Sequence, residues 1–304
     1  MSTRLTDKID SYNLKVNIKF DENFTSSTAP TNSGTSSLPS AITYYNGGMS
    51  GITKGPFPGQ KCWRYNNTSS AAGQRYGAAG GSTELDSIFG DSLTDTDGFT
   101  VGFWIKVNTF PTTAYTSANR LINKVNIQGN NLYQGFYIGY GPDPVSGKNA
   151  FDFYTGGIDT AITSDHNGND LVAGRWYYVA LRRTIRVDGT SLYMTHQIYV
   201  NGTLKVTTSE VPYYIEGFTF FWFNSLVAPG ITNHDIAGYH AGTAAVLDST
   251  AIADIWKYGA PIQKVVKYYD GSAWQTSSDK KVYDGSEWIP MYANIWDGTA
   301  WLPI

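Results

Sequence analysis

The chain has 304 residues and a formal net charge of −3, which leaves no basic field to hold nucleic acid. Charged residues are scarce, at 15%, and aromatic residues are as common, at 15%. With abundant Gly, Ser, Thr and Asn, that mix favours strands and turns over helices, and no apolar run reaches the roughly 18 residues of a membrane span.

The N-terminus has no apolar core of the kind a signal peptide needs, so none is predicted. The first patterned segment is "YNLKVNIKFD". Tyr12, Leu14, Val16, Ile18 and Phe20 alternate with polar residues, which predicts a strand with one buried face. Residues 22–60 are rich in Ser, Thr, Gly and Pro and read as long loops with short strands. Cys62 is the single cysteine. It forms no internal disulfide, which suits folding in a reducing cytosol, and beside Trp63 it reads as a small buried residue. "STELDSIFGDSL" (82–93) is long enough for one short helical turn.

The second strong pattern is "FTVGFWIKV". Phe99, Val101, Phe103, Ile105 and Val107 line one face, with Trp104 on the other. Short aromatic or β-branched runs follow at 134–140, 150–156, 175–183, 192–202 and 217–223, each closed by turn residues. No segment holds a capped 3.6 period for three turns. The predicted fold is therefore all-β, an antiparallel two-sheet sandwich. "NHDIAGYH" (233–240) reads as a polar loop, in which His234, Asp235 and His240 form a weak metal candidate. His196 reads as a cross-strand neighbour.

Composition changes near Gly259-Ala-Pro261. Beyond it one phrase occurs three times: Tyr269 to Trp274, Tyr283 to Trp288 and Trp296 to Trp301. Asp-Gly between aromatic residues predicts a hairpin, because Gly accepts positive φ. The expected division is 1–262, a sandwich, and 263–304, a three-unit hairpin module. Single short hairpins are marginal, so a shared apolar face is expected from Tyr269, Trp274, Tyr283, Trp288, Trp296 and Trp301, serving docking or oligomerisation.

Four phrases in order resemble the concanavalin A-like lectin/laminin-G-like jelly roll: "LKVNIKFDEN" (14–23), "FTVGFWIKVN" (99–108), "GRWYYVALRR…YMTHQIYVNGTLK" (174–205) and "STAIADIWKYGAP" (249–261). On this resemblance the last phrase is the closing strand. The terminal repeats are similar to those that end tailed-phage virion proteins. Together the resemblances imply a bacteriophage structural protein, either capsid decoration or a tail fibre or appendage, exposed on the particle after assembly in the host cytoplasm. Its partners would be other virion proteins and further copies of itself, a trimer by analogy with fibres, and a host-surface glycan. The alternative is a carbohydrate- or receptor-binding lectin module, with a glycan depolymerase ranked last.

Enzymes on this fold need carboxylates at alternate positions of one strand. The chain has five Glu, and "ELDSIF" supplies only Glu84 and Asp86 of such a set, so no catalytic residue is assigned. Sugar platforms need aromatic residues beside amides. Tyr44, Tyr45 and Asn46, then Tyr133, then Trp222 and Asn224 have that composition. The family's use of calcium makes Asp95 and Asp97, and Asp165, Asn167 and Asp170, candidate ligands, although the same residues make ordinary turns. No other cofactor is expected.

Overall fold

The computed structural model describes residues 9–20, 31–35, 42–45, 49–56, 60–67, 75–79, 97–110, 120–128, 132–142, 146–155, 162–163, 171–212, 220–223 and 232–259, and then the short strands of 267–303. The chain divides into two units, Met1–Ala260 and Pro261–Ile304.

In the first unit the strands are β1 (Val16–Ile18), β2 (Ile42–Tyr45), β3 (Met49–Lys54), β4 (Lys61–Asn67), β5 (Arg75–Ala79), β6 (Phe99–Thr109), β7 (Arg120–Gln128) and β8 (Leu132–Pro142). They continue with β9 (Asn149–Thr155), β10 (Ile162–Thr163), β11 (Trp176–Asp188), β12 (Ser191–Val200), β13 (Thr203–Thr207), β14 (Val211–Pro212), β15 (Phe220–Phe223) and β16 (Thr232–Thr243), then helix α1 (Ser249–Gly259). A nine-stranded sheet runs β13-β12-β11-β6-β16-β4-β3, with β1 on β16 and β14 on β12. A seven-stranded sheet runs β10-β9-β8-β7-β15-β5-β2.

Alternation builds the sandwich. Val101, Phe103, Ile105 and Val107 of β6 join Val179 and Leu181 of β11 and Ile236 of β16 on one face. They meet Ile138, Tyr140 and Phe151 of the other sheet there. Each such side chain, taken from water, contributes about 1.5–3 kcal/mol before chain entropy is counted. The intervening residues Trp104, Tyr178, Ala180 and Ala237 point the other way and form a second cluster, with Leu247, Ala251, Ile252 and Ile255. Cys62 is fully buried in that cluster, as its sequence position suggested.

Helix α1 corrects the expected closing strand at 249–261. Ala251, Ile252 and Ile255 recur at helical spacing on the face turned to the sheet. Asp248 caps it: the Ala251 N–H donates to Asp248 Oδ1 at 2.8 Å. Trp256 stacks on Trp104 with centroids 5.4 Å apart. The short apolar run fits either period, and the cap decides it.

The closing strand is β16, so "NHDIAGYH" is a strand between β6 and β4, not a loop. It carries a β-bulge. Ala237 pairs with Trp104 and His240 with Gly102, so one extra residue sits between, where Gly238 takes φ 57°. The extra residue puts both Ile236 and Tyr239 in the inter-sheet core. The first strand is also shorter than its alternation suggests. Asn13 and Phe20 take positive φ at either end of Val16–Ile18, and Leu14 packs in the outer cluster while Val16 and Ile18 enter the inner one. An Asn-Gly turn, with Asn201 at φ 54° and Gly202 at φ 73°, joins β12 to β13.

In the second unit each repeat is a two-stranded antiparallel hairpin. These are β17 (Lys267–Tyr269) with β18 (Trp274–Thr276), β19 (Lys281–Tyr283) with β20 (Trp288–Pro290), and β21 (Asn294–Trp296) with β22 (Trp301–Pro303). The innermost pair is aromatic every time: Tyr269 opposite Trp274, Tyr283 opposite Trp288, Trp296 opposite Trp301.

Candidate functional site

Two faces of the sandwich carry candidate chemistry. On the outer side of the nine-stranded sheet, Asp235 lies beside Arg64 on β4 and Lys106 on β6, in one cross-strand row. Its side chain is fully buried. Arg64 Nε and Nη2 donate to its two oxygens at 2.6 and 2.9 Å, and Lys106 Nζ lies 2.6 Å from Oδ2. Asn108 Nδ2 adds a 3.2 Å bond and also reaches Asn233 Oδ1 at 3.0 Å. Burial pushes the Asp235 carboxyl upward, but the hydrogen bonds and charges of Arg64 and Lys106 overcome this and hold it below its ordinary value. An ionised carboxylate clamped by two cations is a structural acceptor. It has no proton to donate, and its lone pairs are committed.

The strand also separates the histidines of the metal candidate. His234 faces the other sheet, with Nδ1 3.2 Å from Tyr140 Oη and its ring stacked on Tyr65 at 5.0 Å. His240 faces the helix side. Its Nδ1 lies 3.0 Å from the Gly238 carbonyl and its Nε2 2.7 Å from Tyr178 Oη. A carbonyl only accepts, so Nδ1 carries the hydrogen and Nε2 accepts from the tyrosine. Burial lowers both histidines to about 4. Two rings on opposite faces of a sheet do not share an ion, and among the described residues no group of three metal-ligating side chains converges. His196 is the expected cross-strand neighbour: it pairs with Arg183, whose Nε donates to His196 Nε2 at 2.9 Å.

The sequence-predicted sugar residues fall on the seven-stranded sheet. Tyr44 and Tyr45 are on β2, Tyr133 on β8 and Trp222 on β15, while Asn46 and Asn224 lie outside the described residues. Residues directly opposite in a ladder share a face. Tyr44 sits in the row of Tyr76, Phe223, Ile122 and Ile138, and Ile138 belongs to the core. Trp222 sits in the adjacent row, one step out of phase, and so belongs to the opposite face. Tyr133 and Tyr45 share that phase. Of the calcium candidates, Asp97 is exposed just before β6, and Asp95, Asp165, Asn167 and Asp170 lie outside the described residues, as does Glu84.

The Asp235 network escaped the sequence reading. Its signal was there: single charges inside apolar strands, in "CWRY", "WIKV" and "HDI", in a chain poor in charge.

No curated protein matches the chain. Among solved structures it is similar to the binding domain of Paraclostridial Mosquitocidal Protein 1, at 13% identity and TM-score 0.49, covering 83% of this chain and 52% of that one. It is also similar to the binding domain of botulinum neurotoxin DC in complex with rat synaptotagmin II, at 12% identity and TM-score 0.46, covering 84% and 54%. A third is domain 4 of AbnA, a GH43 extracellular arabinanase from Geobacillus stearothermophilus, in complex with arabinotriose, at 15% identity and TM-score 0.38, covering 80% and 97%. The chain thus spans about half the length of the first two. The family assignment rests on a separate match, over residues 77–230, which is half of the sequence and includes strands of both sheets. The chain belongs to the concanavalin A-like lectin/glucanases superfamily, with a laminin G-like domain.

Proposed function

We propose that this is a non-enzymatic bacteriophage virion protein, a capsid decoration or a tail fibre or appendage component, whose lectin-like sandwich contacts host-surface glycans. One observation carries the reading. A lectin-family sandwich is joined to three hairpins that repeat the same aromatic pair at the same register. Three-residue strands bury too little to persist singly, so an aromatic pair in each calls for a shared face, within the chain or between copies. A docking module joined in one chain to a glycan-contacting domain is what an attached particle needs.

Immunogold labelling of purified phage particles with an antibody to this chain tests the proposal. Gold over the capsid assigns decoration, and gold at the tail assigns receptor contact. Particles without gold overturn the virion reading and leave the second one, a free carbohydrate- or receptor-binding lectin, which family membership alone supports. Association is expected through residues 263–304, so the chain lacking them should sediment as a monomer while the full chain does not.

A further inference from the structure

We infer that the row of Arg64, Asp235, Lys106 and Trp176 on the nine-stranded sheet is a docking site for an acidic segment of a partner protein, in which one partner carboxylate bridges the two cations. The inference stands apart from the virion and glycan readings. Register assembles the row. Arg64 on β4 is opposite Asp235 on β16, Asp235 is opposite Lys106 on β6, and Lys106 is opposite Trp176 on β11. Residues directly opposite share a face. Two residues along the same strands stand Cys62, Ala237, Trp104 and Tyr178, all in the cluster that α1 joins. Trp256 of α1 rests on Trp104. The helix therefore covers the apolar row, and the charged row is the next one on the same face. Four strands at about 4.8 Å spacing extend it over about 14 Å.

Charge fixes the sign and size of the ligand group. The Asp235 side chain is 0% exposed, while Arg64 is 34% and Lys106 17% exposed, so the carboxylate lies beneath and both cations reach solvent. Two cations and one carboxylate leave one positive charge, the complement of a single carboxylate. Both cations keep donors for it. Arg64 spends Nε and Nη2 on Asp235, and its Nη1 bonds nothing among the described residues. The Lys106 ammonium has three hydrogens, and Asp235 is its one acceptor among those residues. The cations already meet at one carboxylate, 2.6 Å from each, so they stand close enough to share a second. Asp235 holds both in place, so the rotamer freedom that binding would cost is already lost on folding. Structure alone does not call for these charges: an apolar trio would extend the adjoining cluster, and such replacements are often neutral or stabilising.

The flanking groups identify the rest of the ligand. Asn108 Nδ2 donates to Asn233 Oδ1 and to Asp235 Oδ1. The other halves of the two amides, Asn108 Oδ1 and Asn233 Nδ2, bond nothing among the described residues. One acceptor and one donor on adjoining amides match the N–H and C=O of a peptide group. Beyond Lys106 in the row, Trp176 is half-buried, with Lys106 Nζ 5.2 Å from its ring centre. The indole offers a flat apolar surface to a side chain next to the bound carboxylate. Carboxylate, peptide group and apolar side chain occur together in a segment of protein.

The test uses the full chain on an array of nonapeptides, each with one central Asp or Glu among varied apolar residues, beside the same peptides carrying Asn or Gln there. Calorimetric titration follows with the best acidic peptide. Its amide counterpart should bind roughly tenfold more weakly or worse, and Arg64→Gln, Lys106→Met and Trp176→Ala should each weaken the acidic peptide by a similar factor, the size of an interface hot spot. Arg186→Ala, an exposed cation outside the row, should bind as the parent does. A measurement on the unaltered chain decides the matter if a variant fails to fold. With peptide at about ten times its Kd, acetylation of Lys106 by limiting acetic anhydride should slow roughly tenfold, while Lys148 and Lys205, both exposed, react as before. Acidic peptides that bind without protecting Lys106, or that bind the row variants as well as the parent, overturn this site. So does an array on which no acidic peptide is preferred to its amide counterpart, or a chain that binds an acidic polysaccharide such as polygalacturonate through Arg64 and Lys106 and no peptide.

Discussion

Two ion clusters on the nine-stranded sheet are mirror images in charge. At Asp235 one carboxylate meets two cations, at 2.6 Å from each. At Arg186 one guanidinium meets two carboxylates, Glu210 at 2.7 and 2.8 Å and Asp188 at 3.1 Å. The bond lengths are alike and the surroundings are not. Asp235 is shut from solvent, whereas the Arg186, Glu210 and Asp188 side chains are 51%, 38% and 65% exposed. Water competes for every bond in the second cluster and none at the carboxylate of the first. Geometry alone therefore misjudges them: the buried cluster holds three strands of the sheet in register, and the exposed one decorates a hairpin.

Acid sharpens the comparison most. His234 and His240 flank Asp235 on β16 and are buried neutral, at about 4 against an ordinary 6.5. The unfolded chain takes up protons below 6.5 while the folded one does not. Stability is therefore full above that value and falls as pH drops toward 4, by about 3 kcal/mol for each histidine. Asp235 works in a lower window. Its folded value lies below the ordinary 3.8, so its contribution is intact through that fall and is lost only beneath it. Urea unfolding from pH 7 to 3 measures both, and a flat profile between 6.5 and 4 would refute the burial of the histidines.

Removing the carboxylate comes next. Asp235→Ala leaves Arg64 and Lys106 facing each other and should cost about 3–5 kcal/mol in chemical denaturation. A loss equal to that of Arg186→Ala would erase the distinction. Gly102→Ala should cost about 1–3 kcal/mol, because a Cβ there would stand 2.5 Å from Tyr178 Oη and 2.6 Å from His240 Nε2, both fixed in one hydrogen bond. The smallest effect is at the exposed cluster. Arg186→Ala should leave the melting temperature within the scatter of the parent, and added salt should erase what difference there is.

The sandwich was legible because β6 and β11 alternate without interruption, and Trp104 was correctly set on the opposite face from Phe103. β16 was not legible. Its bulge moves the apolar phase from Ile236 to Tyr239 and Ala241, so no single period runs through the strand, and its histidines and aspartate read as loop polarity. Helix α1 was hidden by brevity, since a single three-turn run fits two periods until the Asp248 cap is seen. Of the sugar candidates, Trp222 and Tyr133 carried composition, but register alone distinguishes them from Tyr44. The buried ion cluster was half legible: a single charge inside an apolar strand marks each member, but the three strands lie far apart in the chain and no local pattern links Arg64 to Asp235.

Gly202 closes the β12–β13 hairpin, and a Cβ placed on it would come within 2.9 Å of Trp256 on α1. The hairpin tip thus rests against the helix, and Trp256 in turn lies on Trp104 at the sheet's centre. In hydrogen-exchange terms, α1 and the tip of that hairpin should open as one unit, their amides sharing a single protection factor rather than fraying independently.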